Sequence, residues 1–199
     1  MRPLRYALWA AVAITALALA VLLLGREPER AALAPDEPFG TAFALTDHNG
    51  DPITETAFRG QPTAVFFGFT HCPEICPTTL YELNGWMAEL GPDGEKLAAY
   101  FVTVDPERDT AGILKEYVTA ISDRIIGITG DPDDVAAMLK GYHVYSKKVP
   151  LDDGGYTMDH AAAIFLLDRE GRFVGTISYG EDPENAKAKL KRLVERDSG

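Results

Sequence analysis

An α/β domain with a mixed central sheet is the fold this sequence predicts, and three observations predict it. Strand-like and helix-like segments alternate along most of the chain. Two turn signals, Asn49-Gly50 and Asp168-Arg169-Glu170-Gly171, lie between strand-like pairs near the two ends of that alternation, so hairpins flank it. Between them, Thr63 to Phe69 is a continuous run rich in Val and Phe, the pattern of a strand covered on both faces.

Residues 1–6 carry Arg2 and Arg5, and residues 7–25 are then apolar almost without interruption. About 19 such residues suffice to span a bilayer as a helix. Arg26 and Arg30 beyond the segment are offset by Glu27 and Glu29, so the charge asymmetry keeps the N-terminus in the cytoplasm and exports the rest. A cleaved signal peptide is the competing reading, because Ala32-Leu33-Ala34 resembles a cleavage site. Those residues lie well beyond the apolar stretch, which favours a retained single transmembrane anchor. Residues 26–38, rich in Ala, Pro and Glu, read as a linker. Residues 39–199 have the size of one domain able to bury a proper core. The formal net charge of −11 argues against nucleic acid as a partner, and its ordinary meaning is a well-solvated surface.

Within the domain, Phe39 to Leu45 and Pro52 to Thr54 form the first hairpin around Asp47-His48-Asn49-Gly50. After the apolar strand, Leu80, Leu83, Trp86, Met87 and Leu90 recur at helical spacing until Gly91-Pro92 stops them. Leu97 to Val104 is a second apolar strand, and Asp109 or Thr110 caps a helix running through Ile113, Leu114, Tyr117 and Ile121. Arg124 to Ile128 is a short β-branched strand, followed by a helix from Pro132 to Leu139. Tyr142 to Val149 reads as extended and Pro150 to Gly155 as a loop. Ala161 to Leu167 and Phe173 to Ser178 make the second hairpin, and a charged helix from Pro183 to Glu195 follows.

The only two cysteines, Cys72 and Cys76, stand where the buried strand gives way to the first helix. Pro73 suits a first helical turn. With a helix starting near Cys72, the i,i+4 spacing puts both sulfurs on one face, and the helix N-terminus favours thiolate over thiol. Three residues separate them, one more than in thioredoxin-type redox motifs. Such a pair can close a disulfide or hold one metal ion between two thiolates. Soft thiolates select Cu(I), and an added imidazole suits Cu(I) or Cu(II). A closed zinc site needs four ligands, and the sequence offers no Cys/His cluster to supply them. The plain alternative is a structural disulfide in an exported protein, although a bridge closing so small a loop adds little stability.

Other candidates are less pointed. His160 lies between a Gly-rich loop and the Ala161-to-Leu167 strand and reads as a ligand or an ordinary strand-end histidine. His71 adjoins Cys72 but reads mainly as solvated, and His48 and His143 as surface or packing residues. Met158 shares a strand face with His160 and reads mainly as packing. Asp105, at the carboxyl end of the strand beside the cysteine strand, is placed to act near the site or simply to shape the turn before Pro106. Asp159 could serve as a hydrogen-bond acceptor that orients His160, although adjacent strand residues point to opposite faces.

Taken together, a cysteine pair after the first buried strand and a long helix behind it resemble the thioredoxin architecture. Three segments are, in order and spacing, similar to the signatures of the Sco/SenC copper chaperones. They are Phe69-Thr70-His71-Cys72-Pro73-Glu74-Ile75-Cys76-Pro77, Val104-Asp105-Pro106-Glu107-Arg108-Asp109-Thr110 and Tyr156-Thr157-Met158-Asp159-His160. The resemblance runs from Phe39 to the last helix and includes the N-terminal anchor. It implies a thioredoxin-like fold, a copper ion as Cu(I) and in some states Cu(II), and ligation by Cys72, Cys76 and the distal histidine, which falls on His160. It further implies a metallochaperone rather than an enzyme, assisting the dinuclear copper centre of cytochrome c oxidase subunit II, with another copper chaperone or a thiol reductase as further partners. The alternative is a thiol-disulfide oxidoreductase acting on cysteines of that subunit or of another exported protein. The short Arg-flanked anchor suggests a bacterial cytoplasmic membrane, with the domain on the periplasmic side.

Overall fold

The computed structural model describes Tyr6, Trp9, Thr15 and residues 37–196 except Asp153. The expected membrane anchor at 7–25 and nearly all of the linker at 26–38 lie outside the described residues. Among the described residues, no helix is long and apolar enough to cross a membrane. Residues 36–199 form a compact unit of their own.

That unit is built on a seven-stranded sheet ordered β2-β1-β5-β4-β3-β8-β9, accompanied by a separate two-stranded sheet, β6-β7. The strands are β1 (Ala44–Asp47), β2 (Pro52–Thr54), β3 (Thr63–Gly68), β4 (Ala98–Thr103), β5 (Ile125–Thr129), β6 (Ser146–Pro150), β7 (Tyr156–His160), β8 (Ala163–Leu167) and β9 (Phe173–Ser178). The helices are α1 (Ile75–Glu89), α2 (Ala111–Thr119), α3 (Pro132–Gly141) and α4 (Pro183–Arg196). β3, β4 and β5 run parallel, whereas β1, β8 and β9 join antiparallel, so the sheet is mixed as expected.

The centre of the sheet follows from its side chains. All six residues of β3 are buried, and five of six in β4. Phe66, Phe67 and Phe101 are fully buried, and each contributes roughly 1.5–3 kcal/mol through burial. Leu80, Leu83, Trp86 and Met87 are the buried face of α1, which packs on α4. Thr110 caps α2, its side chain accepting from Ile113 N–H at 3.4 Å. The first hairpin closes on Asp47, whose carboxylate accepts from the N–H groups of Asn49 and Asp51, while Gly50 takes φ +92°, a conformation costly for any residue with a Cβ.

Three expectations are corrected. Helix α1 begins at Ile75 rather than near Cys72, because Glu74 has φ −140° and ψ −57°, outside the helical region. The first strand starts at Ala44, later than Phe39. The extended stretch begins at Ser146, as β6, rather than at Tyr142, which closes α3, and His143 takes φ +54°; His160 ends strand β7.

Candidate metal and thiol centre

The cysteine loop leaves β3 at Gly68 and reaches α1 at Ile75. A single buried carboxylate organises it. Asp109 is fully buried and accepts from Thr70 N–H at 3.0 Å, Thr70 Oγ1 at 2.6 Å and Thr103 Oγ1 at 2.6 Å. Its carbonyl accepts from Thr129 Oγ1 at 2.7 Å. The ends of β4 and β5 and the start of the cysteine loop therefore converge on one residue. Sequence reasoning takes Asp109 only as a candidate helix cap, and nothing local reveals its role, since Thr70 lies 39 positions away.

Cys72 stands before the helix and Cys76 in its first turn. Cys76 N–H donates to Cys72 Sγ at 3.3 Å, so the helix N-terminus is aimed at one sulfur. Cys76 is completely buried and Cys72 lies nearer the surface. Glycine at 68 permits this packing: a Cβ there would sit 2.7 Å from the Phe101 ring and 2.9 Å from Cys76 Sγ. The two thiols differ sharply in acidity. Hydrogen bonding from the Cys76 side chain, helped by His160 and by the backbone at Cys76 and Glu74, holds the Cys72 thiol down at about 4 against the opposing effect of burial. The same Cys72 interaction and deep burial push the Cys76 thiol far above its ordinary value. Cys72 is thus the first to ionise, and both cysteines are free thiols.

His160 arrives from β7. Its Nε2 lies 3.5 Å from Cys76 Sγ, across 84 positions of sequence. The other ring nitrogen, Nδ1, is 3.1 Å from the carbonyl of Ala161. A carbonyl can only accept, so Nδ1 carries a proton, and Nε2 is the ring nitrogen turned toward the sulfurs. Phe66 and Phe69 flank the imidazole edge-on at 6.3 and 5.6 Å between centroids.

The remaining candidates fall elsewhere. Asp159 does not orient His160: its carboxylate accepts from Tyr145 Oη at 3.3 Å, and the Ala161 carbonyl takes the place at Nδ1. Asp105 is buried, ion-paired with Arg108 Nε, and accepts from Tyr156 Oη at 2.9 Å. His71 is exposed, its Nδ1 3.1 Å from Thr70 Oγ1 and 3.9 Å from Asp109. His48 is a buried packing residue and accepts from Gly127 N–H at 2.8 Å. Met158 lines a cleft of about 490 Å³ between the β6–β7 hairpin and α3. Among the described residues, no group of three or more His, Cys, Asp or Glu side chains stands ready-made to hold a metal ion. Cys72, Cys76 and His160 are instead joined by hydrogen bonds to one another.

A mixed sheet with an acidic cysteine at the margin of the core and a more deeply buried partner at the head of α1 defines a thioredoxin-like protein of thiol or soft-metal chemistry. Comparison with known proteins narrows the class. The SCO1/SenC family model matches residues 31–195, and the chain belongs to that family. It is 38% identical over 160 residues to the mitochondrial protein SCO2 of Saccharomyces cerevisiae, covering 78% of this chain and 53% of the yeast protein. The chain therefore spans about half the length of that relative. Among solved structures, copper-bound ScoI of Bradyrhizobium japonicum is 46% identical with a TM-score of 0.71, covering 78% of this chain and 99% of that one. Copper-bound yeast Sco1 is 34% identical with a TM-score of 0.72, covering 80% and 90%.

Proposed function

We propose that this chain is a copper carrier of cytochrome c oxidase assembly, holding one copper ion between the Cys72 and Cys76 thiolates and His160 Nε2. The observation that carries the reading is the 3.5 Å approach of His160 Nε2 to Cys76 Sγ, with the ring's other nitrogen already engaged. With metal–sulfur and metal–nitrogen bonds of about 2.3 and 2.0 Å, that separation subtends an angle of about 110° at an ion, so the pair needs little rearrangement to share one. Two soft sulfurs and one imidazole suit Cu(I), and the nitrogen extends the site to Cu(II). The copper-bound ScoI and Sco1 structures support the same cargo.

The division of acidity suggests an order of events. Cys72, already a thiolate near neutral pH, meets the ion first. The ion's charge then replaces the Cys76 proton, and His160 closes the site. An ion with three ligands keeps a face open to incoming donors, which is how it passes to an acceptor. The proposed acceptor is the copper site of oxidase subunit II, with another copper chaperone or a thiol reductase upstream. Residues 7–25 would tether the domain to a bacterial cytoplasmic membrane, with the domain on its periplasmic side and residues 1–6 in the cytoplasm.

A second reading rests on the same acidity difference. A low-pKa thiolate at the margin of the core beside a completely buried thiol is the arrangement of a thiol-disulfide reductant, in which Cys72 attacks a disulfide sulfur and Cys76 resolves the mixed disulfide. Titrating the reduced protein with Cu(I) against a competing chelator separates the two. The carrier reading expects one copper per chain, weakened more than about tenfold, or 1.4 kcal/mol, in His160→Ala. Equal affinity in that variant would overturn the three-ligand site and leave the reductant.

A further inference from the structure

We propose that Arg108 is a positioning residue that sets where His160 stands relative to the cysteines. The inference rests on the reading of His160 as a copper ligand. The hairpin β6–β7 that carries His160 is not hydrogen-bonded into the seven-stranded sheet, and an isolated two-stranded hairpin is marginal in water. Something must hold it against the domain. Arg108 is built to do so. Its Nε pairs with buried Asp105, its Nη1 donates to the Tyr156 carbonyl at 3.0 Å, and its guanidinium lies 3.8 Å from the centre of the Tyr156 ring. Tyr156 Oη returns to the same Asp105 at 2.9 Å. On its other side, Arg108 lies 5.9 Å from the ring of Phe69, which itself packs edge-on against His160.

Asp105, Arg108 and Tyr156 thus form a closed clamp between the exit of β4 and the first residue of β7. At about 3.3 Å per residue, His160 lies about 13 Å further along that strand, so loosening one end displaces the imidazole at the other. The remaining ties are weaker. Lys148 meets Glu107 at 2.8 Å in an exposed pair, and Met158 packs, only partly buried, against the core. Arg108 Nη2 is buried with no hydrogen-bond partner among the described residues. A planar guanidinium is therefore retained although one donor goes unused, which suits a stacking and forked contact that lysine cannot make. The clamp also links two signature segments, Val104 to Thr110 and Tyr156 to His160, that sequence alone leaves unconnected.

The test compares wild type, Arg108→Lys, Arg108→Gln and Tyr156→Phe in the full chain. In metal-free protein, amide exchange at Thr157 to His160 should quicken at least tenfold in Arg108→Gln and Arg108→Lys, with β3 amides unchanged. Cu(I) affinity should fall about 10–100-fold, the imidazole signature in the Cu(II) spectrum should weaken, and Cys72 should remain the cysteine that alkylates first. Tyr156→Phe, which removes one hydroxyl, should shift each readout the same way by less and decides the matter should the arginine variants not fold. Unchanged exchange at β7 would overturn the clamp, as would full retention of affinity and spectrum in Arg108→Lys. Wild type that binds no copper would defeat the carrier reading, and the exchange experiment would still decide whether Arg108 positions the strand.

Discussion

The two halves of the candidate site are built in opposite ways. The cysteine loop grows out of the most buried strand and is tied to β4 and β5 through Asp109, while Gly68 keeps Cys76 packed against Phe101. The histidine comes on a half-exposed hairpin outside the main sheet, held by a few polar contacts and one stacked arginine. The difference teaches that two donors are fixed by the core and the third is delivered to them. On the proposed carrier reading, such inequality would let the fixed pair hold cargo while the third donor yields to a competitor.

Experiments can break or sharpen that contrast. The largest effect should be chemical. With the Cys72 thiol near 4 and Cys76 buried with its thiol raised, alkylation should strike Cys72 first. Lowering pH removes the thiolate only on passing through the folded value, so the rate should stay flat from about pH 8 to 5 and fall below that. An unfolded cysteine of pKa near 8.5 has on the order of a thousandth of its thiolate left near pH 5.5. Mass spectrometry of quenched samples reads both sites, and a midpoint near 8 for Cys72 would erase the rigid half of the comparison.

Next comes Asp109→Ala, which strands Thr70 N–H, Thr70 Oγ1 and Thr103 Oγ1 without an acceptor. Each such loss costs about 1–3 kcal/mol, so chemical denaturation should show a loss of at least about 3 kcal/mol, and Cys72 should lose its distinct reactivity. Gly68→Ala forces a methyl against Phe101 and Cys76 and should cost about 1–3 kcal/mol. Its telltale is a disturbed Cys76 with the β6–β7 amides unaffected. The smallest effect belongs to Asp159→Asn, whose side chain faces Tyr145 and not the imidazole. Its stability should change by less than about 0.5 kcal/mol with copper affinity as in wild type; a marked loss of affinity would mean that Asp159 does steer His160.

Much of the rigid half is legible in the sequence, and little of the delivered half. The Val and Phe run of β3 reads directly as a doubly covered strand, and the helical spacing of Leu80, Leu83 and Met87 as the buried face of α1. The helix start does not, because Pro73 favours a first turn while the backbone at Glu74 departs from one. The bounds of strand β7 are not legible, although Met158 and His160 read as sharing a strand face, because Tyr-Thr-Met-Asp-His mixes polar and apolar residues without a clear period. Its partner β6 holds two lysines, so neither strand advertises a core-facing side. Asp109 is invisible for a different reason: its meaning lies wholly in hydroxyls and N–H groups that the fold brings to it. The three signature segments marked Cys72, Cys76 and His160 together, but only the tertiary structure shows which nitrogen of His160 faces sulfur.

The 84-position separation between Cys76 and His160 has a thermodynamic consequence. A ligand stabilises a fold only by the difference between its affinities for the folded and unfolded chains. Cys72 and Cys76 are near neighbours in sequence, so an unfolded chain can still chelate a soft ion with both. On the proposed three-ligand reading, the imidazole becomes available to that ion only after β3, β8 and the hairpin have assembled. Loading should therefore raise the melting temperature chiefly by the histidine's share of the affinity, and His160→Ala should uncouple cargo from thermal stability even where it leaves appreciable binding.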